Sequence, residues 1–185
     1  VRLGVLGGTF DPPHVGHLLA ASDAFEALAL DRLLFIPAAA HPFKGDNVGA
    51  TAEQRVAMLT LLIAGDVRFG IDTIEIERSG LSYTVDTLAE LARRSPDAER
   101  FFLIGEDLVD QVATWRDPHR LTQFAEIVVL ARGAASAGGP YRRLETRRVD
   151  VSSTEIRARA RAGLSLHGFV PDPIVAYIRD AGLYR

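Results

Sequence analysis

Apolar and polar positions follow two periods along this chain. Val1 to Leu6, Arg32 to Pro37, Arg100 to Ile104 and Glu126 to Ala131 are short, mostly apolar runs bounded by glycine, proline or charge, as expected of strands buried on both faces. Between them the spacing turns helical. Leu18, Leu19, Ala21, Phe25, Leu28 and Ala29 stripe one face of a helix from His17 to Leu30, and Thr51-Ala52-Glu53-Gln54 is a capping box opening a helix to about Ala64. Thr84 caps a helix from Val85 to about Arg94. Glu106 to Ala113 reads as a short helix and Leu121 to Ala125 as one or two turns. Ser152-Ser153-Thr154-Glu155 opens a helix through Ala162. Pro171-Asp172-Pro173 starts the last helix, with Asp172 as N-cap and Gly182 as its stop. Val67 to Ile71 and Thr73 to Glu77 read as further strands, the second because Ile74 and Ile76 alternate with Glu75 and Glu77, and Glu145 to Val151 reads as the last strand. Strands alternating with helices predict an α/β fold, a mainly parallel sheet with helices on both faces. The length is that of one domain, residues 1–185, with 152–185 as its C-terminal helical part.

In such a sheet the ligand sits off the carboxyl ends of the strands. Gly7/Gly8, Pro37, Gly105, Arg132 and Ser152/Ser153 fall at such ends. The first end carries Gly-Gly-Thr-Phe-Asp-Pro-Pro-His-Val-Gly-His, residues 7–17. Its glycines let a phosphate approach the backbone. His14 and His17 flank Gly16 at the mouth of a helix, whose free N–H groups and partial positive charge favour an anion. A turn needs Gly, Asp and Pro; it does not need two imidazoles. Neither Gly-x-Gly-x-x-Gly nor Gly-x4-Gly-Lys-Ser/Thr follows the first strand, so the two commonest nucleotide loops are excluded. A metal role for the histidines lacks an evident third ligand. Ser152-Ser153-Thr154-Glu155-Ile156-Arg157 is a helix cap that also aims hydroxyls, N–H groups and Arg157 at an anion, with Arg161 on the same face. The N–H groups of Tyr83 and Thr84 at a helix start suit a small carboxylate, and Trp115 a flat ring; a plain cap and a core tryptophan are the alternatives.

Composition narrows the setting. A hydrophobic fraction of 48% is ample for a core, and with no cysteine there is neither disulfide nor thiolate metal site. That fits a reducing, cytoplasmic setting. A net charge of −3 argues against nucleic acid as a partner. No apolar run reaches the roughly 18 residues of a membrane span, and no secretory leader pattern is expected at Val1. Of the 21 basic residues only Lys44 is a lysine, set in the loop Ala38 to Ala50. A compact ammonium and a planar guanidinium are not equivalent. Gly133 to Pro140 is the one low-complexity stretch.

Together these motifs resemble the bacterial nicotinate-nucleotide adenylyltransferases, within the nucleotidyltransferases that carry a His-x-Gly-His signature. The resemblance spans nearly the whole chain: the 7–17 signature, Lys44, Ser82-Tyr83-Thr84-Val85-Asp86-Thr87-Leu88, Gly105-Glu106-Asp107-Leu108 with Trp115, and Val151-Ser152-Ser153-Thr154-Glu155-Ile156-Arg157. One departure is His41-Pro42-Phe43-Lys44, where the family usually shows Pro-Pro-His-Lys: Lys44 aligns, and Phe43 replaces the histidine. The resemblance implies a Rossmann-like fold and transfer of AMP from ATP to nicotinate mononucleotide. It assigns catalysis to His14, His17, Lys44 and Arg157. It places ATP against Gly8, Thr9, Phe10, His14, His17, Ser153, Thr154, Arg157 and Arg132. The mononucleotide falls to Gly7, Lys44, Tyr83, Thr84, Asp107 and Trp115. Mg²⁺ is expected to enter with ATP rather than at a protein metal site. The rivals are an adenylyltransferase of the same fold acting on nicotinamide mononucleotide or phosphopantetheine, and a nucleotide-binding module without turnover.

Overall fold

The computed structural model describes residues 1–39, 49–78, 80–132 and 139–185. Lys44, the other residues of His41 to Lys44, and most of Gly133 to Pro140 lie outside them. Six strands, β1 (Arg2–Gly8), β2 (Arg32–Pro37), β3 (Phe69–Ile71), β4 (Glu99–Gly105), β5 (Glu126–Arg132) and β6 (Arg142–Thr146), form one sheet. The order is β3-β2-β1-β4-β5-β6 and every pairing is parallel. The helices are α1 (Val15–Ala27), α2 (Ala52–Leu62), α3 (Ile74–Arg78), α4 (Thr84–Arg94), α5 (Pro118–Phe124), α6 (Ser153–Arg161) and α7 (Asp172–Asp180), with a 3₁₀ helix at Glu106–Thr114. This is the Rossmann-like arrangement that the alternation predicts.

Side-chain alternation splits each central strand between two cores. Leu6, Leu33, Phe35, Phe101, Leu103, Val128 and Leu130 face α1, α2, α6 and α7, where they meet Ala21, Ala24, Met58, Leu59, Ile156, Ile174 and Ile178. Leu3, Val5, Phe102, Ile104, Ile127 and Val129 face the other way, onto Ile74, Val85, Leu88, Leu91, Val112 and Leu121. Burial on both faces is why these strands read as continuous apolar runs.

Several sequence expectations are corrected. Thr73 to Glu77 is not a strand: the Asp72 carboxylate accepts the Ile74 N–H at 3.0 Å and the Glu77 N–H reaches the Thr73 carbonyl at 2.9 Å, so a local cap decides for a helical turn. Four alternating residues fit either period. The last strand is Arg142–Thr146, not Glu145 to Val151; its sequence is polar because it is the edge strand beyond β5. Tyr83 is the N-cap of α4, with Thr84 already helical, and Pro171 is the N-cap of α7, with Asp172 inside it.

Candidate active site

The strand order reverses between β1 and β4, leaving a crevice at their carboxyl ends. A cleft of about 1010 Å³ opens there, at the top of the range of roughly 300–1,000 Å³ for single small-molecule sites. One end is formed by Gly7 and Gly8 at the end of β1, Thr9 and Phe10 just after it, His17 on α1, and Ser153, Thr154 and Arg157 on α6. The other holds Tyr83 and Thr84 at the start of α4, and Asp107 and Trp115 around the 3₁₀ helix. These twelve residues were all named from the sequence, and the structure brings them to one cleft. His14 does not line it: it is 5% exposed and sits behind the wall. Arg132 is the last residue of β5, at the same carboxyl edge of the sheet.

The two histidines form the N-terminus of α1. His14 is the N-cap and His17 the third helical residue, and each side chain faces the other's backbone N–H in a capping box. The His14 N–H donates to His17 Nδ1 at 3.2 Å. An accepting Nδ1 assigns the proton of a neutral His17 ring to Nε2, on the far side of the ring. The rings lie 3.8 Å apart at 32°, and Phe10 meets His17 edge-on at 5.0 Å. Gly16 gives this stack room: a Cβ there would stand 3.0 Å from two atoms of the His14 ring, closer than an ordinary contact. The first amide of α1, Val15 N–H, is held by the Phe169 carbonyl at 3.0 Å.

The α6 end is tied to the signature turn. Ser152 caps the helix through the Glu155 N–H at 3.1 Å, as the cap reading requires. Ser153 Oγ donates to the Pro12 carbonyl at 2.8 Å, and Arg157 Nη1 to the Asp11 carbonyl at 2.7 Å. Arg157 thus spends one corner of its guanidinium on the protein while still lining the cleft.

At the opposite end, Trp115 packs edge-on to Phe102 at 6.2 Å, and the Arg116 guanidinium lies 4.7 Å over the Tyr83 ring. The buried Thr87 hydroxyl donates to Glu75 at 2.8 Å and accepts from Arg78 at 2.7 Å, docking α3 against the first turn of α4. Arg116, Glu75 and Thr87 line the cleft and were not singled out from the sequence. The Trp-Arg dipeptide was a usable signal for the first. Misreading α3 as a strand hid Glu75, and Thr87 stands inside the Ser82–Leu88 motif with no role of its own.

Beneath the signature turn lies a polar network that sequence reasoning missed. Arg55, 2% exposed, donates to the Thr9 carbonyl at 2.7 Å and the Ala38 carbonyl at 2.8 Å. Burial pushes its guanidinium pKa down, partly offset by Asp11. Asp11 is 3% exposed, and its carboxylate accepts from Gly49 N–H at 2.8 Å, Ala50 N–H at 3.1 Å and the Tyr184 hydroxyl at 2.6 Å.

A parallel sheet of this order, with a glycine turn and a His-x-Gly-His helix start at its switch point, defines a nucleotidyltransferase-type α/β protein. The model of the cytidylyltransferase-like family matches residues 5–159. Among named relatives, the "Probable nicotinate-nucleotide adenylyltransferase" of Gemmatimonas aurantiaca is 48% identical, covering 100% of this chain and 93% of its own. Its namesake from Thermus thermophilus is 45% identical over 100% of both chains. The chain belongs to the nicotinate-nucleotide adenylyltransferase family. Its fold matches that of the Plasmodium falciparum nicotinic acid mononucleotide adenylyltransferase complexed with NaAD, with TM-score 0.80 at 17% identity over 99% of this chain and 97% of that one.

Proposed function

We propose that this chain transfers AMP from ATP to nicotinate mononucleotide, giving deamido-NAD and pyrophosphate. The observation that carries the reading is one cleft with two chemically distinct ends: imidazole, backbone N–H and Arg157 at one, aromatic rings and a helix start at the other. A phosphate oxygen of the mononucleotide attacks the α-phosphorus of ATP. The bond to the bridging oxygen of the β-phosphate breaks, and that oxygen leaves with pyrophosphate. The attacking phosphate is already an anion at neutral pH, so no general base is needed. The protein's work is alignment and charge stabilisation.

In this reading His17 Nε2–H donates to a non-bridging α-phosphate oxygen as charge builds there. His14 holds His17 from behind. The turn amides near Thr9 and Phe10 hold phosphate. Ser153, Thr154 and Arg157 serve the β- and γ-phosphates and then the leaving pyrophosphate, and the family resemblance gives Lys44 and Arg132 the same neutralising task. Tyr83 and Thr84 take the ring carboxylate, Trp115 stacks on the ring, and Asp107 accepts a ribose hydroxyl. Mg²⁺ arrives as part of the substrate. Among the described residues no group of three or more His, Asp or Glu is placed to hold an ion, and the Asp11 carboxylate is already occupied by three protein donors. In this reading the triphosphate and water supply its ligands.

The test is pyrophosphate release from MgATP offered nicotinate mononucleotide, nicotinamide mononucleotide or phosphopantetheine in turn. Release is expected first with nicotinate mononucleotide. Preference for either other acceptor reassigns the substrate, and no release with any of the three overturns the enzymatic reading.

A further inference from the structure

Tyr184 lies just past α7, 173 residues along the chain from Asp11, yet its hydroxyl is 2.6 Å from the Asp11 carboxylate. Both are almost fully buried, at 6% and 3% exposure. Burial first, and then the bond to Asp11, push the phenol upward, so it stays protonated and donates. Asp11 is gripped on both sides. Its carboxylate takes Tyr184 and the Gly49 and Ala50 N–H groups, while its main-chain carbonyl takes Arg157. The Tyr184 ring also packs closely on Gly49: a Cβ there would stand 2.8 Å from two ring carbons and 3.8 Å from the Arg157 side chain. Tyr184, Asp11, Gly49 and Arg157 are therefore one packed unit in the wall of the phosphate end, and the first three have no place in the mechanism above.

We infer that Tyr184 is a positioning residue for the nucleoside triphosphate: through the Asp11 carboxylate and the Gly49 backbone it fixes the signature turn and the guanidinium of Arg157. The unit sits at the phosphate end of the cleft, away from Tyr83 and Trp115, so its loss weakens the triphosphate and spares the mononucleotide. This inference rests on the adenylyltransferase reading for the identity of its ligand.

The experiment is calorimetric binding of an ATP analogue with a methylene bridge between the α- and β-phosphates, beside binding of nicotinate mononucleotide, with a thermal melt on every variant. Tyr184→Phe keeps the ring and removes the donor; it is expected to weaken the analogue about five- to tenfold, the scale of one lost charge-assisted hydrogen bond, and to leave the mononucleotide within about twofold. Gly49→Ala is the second arm. In the parent it pushes the Tyr184 ring off the Gly49 backbone and weakens the analogue by a similar factor; in a Tyr184→Ala background it has nothing to clash with and costs no more. Equal losses for both ligands, or equal effects of Gly49→Ala in both backgrounds, would make the contact merely structural and overturn the inference. A parent chain that binds the mononucleotide and the analogue while both variants match it removes the inference alone. A parent chain that binds neither removes the functional reading and this inference with it.

Discussion

His17→Ala separates the two jobs of one imidazole. The ring accepts the His14 N–H at 3.2 Å through Nδ1 and stands 5.0 Å from Phe10. Losing the acceptor strips a cap, worth about 1 kcal/mol, and losing the edge-on pair costs about 0.5–1.5 kcal/mol more. Stability should fall by about 2 kcal/mol, a drop in Tm of roughly 4–8 °C for a chain of this size. Catalysis should fall much further. A single pre-aimed donor to developing charge is worth about 10²–10³ in kcat, or about 3–4 kcal/mol.

His17→Asn keeps one job and discards the other. Its Oδ1 stands where Nδ1 stood and can take the His14 N–H, but nothing reaches as far as Nε2. The Asn variant should regain about half of the lost Tm, the share of the cap, while its kcat for pyrophosphate release at saturating MgATP stays down by about two orders of magnitude. The decisive comparison is therefore Tm against kcat across wild type, Ala and Asn. If kcat tracks Tm, or if the Asn variant turns over within about fivefold of wild type, His17 acts only as a helix cap and the donor role is wrong.

Trp115→Ala removes the ring packed on Phe102 and should raise the Kd for nicotinate mononucleotide about tenfold, the upper end of an aromatic pair, with ATP-analogue binding unchanged by calorimetry; equal losses would make the tryptophan structural. Arg55→Met leaves the Thr9 and Ala38 carbonyls without their buried donor and should lower unfolding stability in urea by about 3 kcal/mol; a change under about 1 kcal/mol would show that water replaces it. Glu90 is held down to about 2 by hydrogen bonds from Arg93 and Arg94, against an ordinary 4.5. A depressed folded pKa gives stability that is present above the unfolded value and lost as pH falls toward the folded one. Wild-type Tm should therefore drop faster than that of Glu90→Gln as pH falls from 4.5 toward about 2, and parallel curves would show the ion pairs to be fully screened.

The parts of this molecule that could be read from its sequence share a physical cause. β2 was bounded correctly at Arg32–Pro37 because a strand covered on both faces must be apolar throughout and must stop at a breaker. α2 was legible because Thr51 and Gln54 satisfy each other's N–H within four residues. β6 was displaced because an edge strand owes little to burial, and Arg-Arg-Leu-Glu-Thr offers one apolar residue in five. Arg55 and Tyr184 were invisible for a different reason. Their partners are carbonyls 46 and 17 residues from Arg55 and a carboxylate 173 residues from Tyr184, and backbone acceptors leave no trace in a sequence.

That asymmetry changes how the 7–17 signature is understood. Gly7, Gly8, Thr9, Phe10 and His17 border the cleft. Asp11 lines it too but spends its carboxylate on Gly49, Ala50 and Tyr184, Pro12 gives its carbonyl to Ser153, and His14 stands behind His17 with its ring against Gly16. A motif built only to touch phosphate would need the first group alone. The second holds a turn between β1 and α1 whose amides, left to themselves, have no regular structure to fix them. The signature is long because half of it braces the other half, and a substitution such as Asp11→Asn, which touches the bracing side chain and no reacting atom, belongs with Tyr184→Phe as a loss of aim.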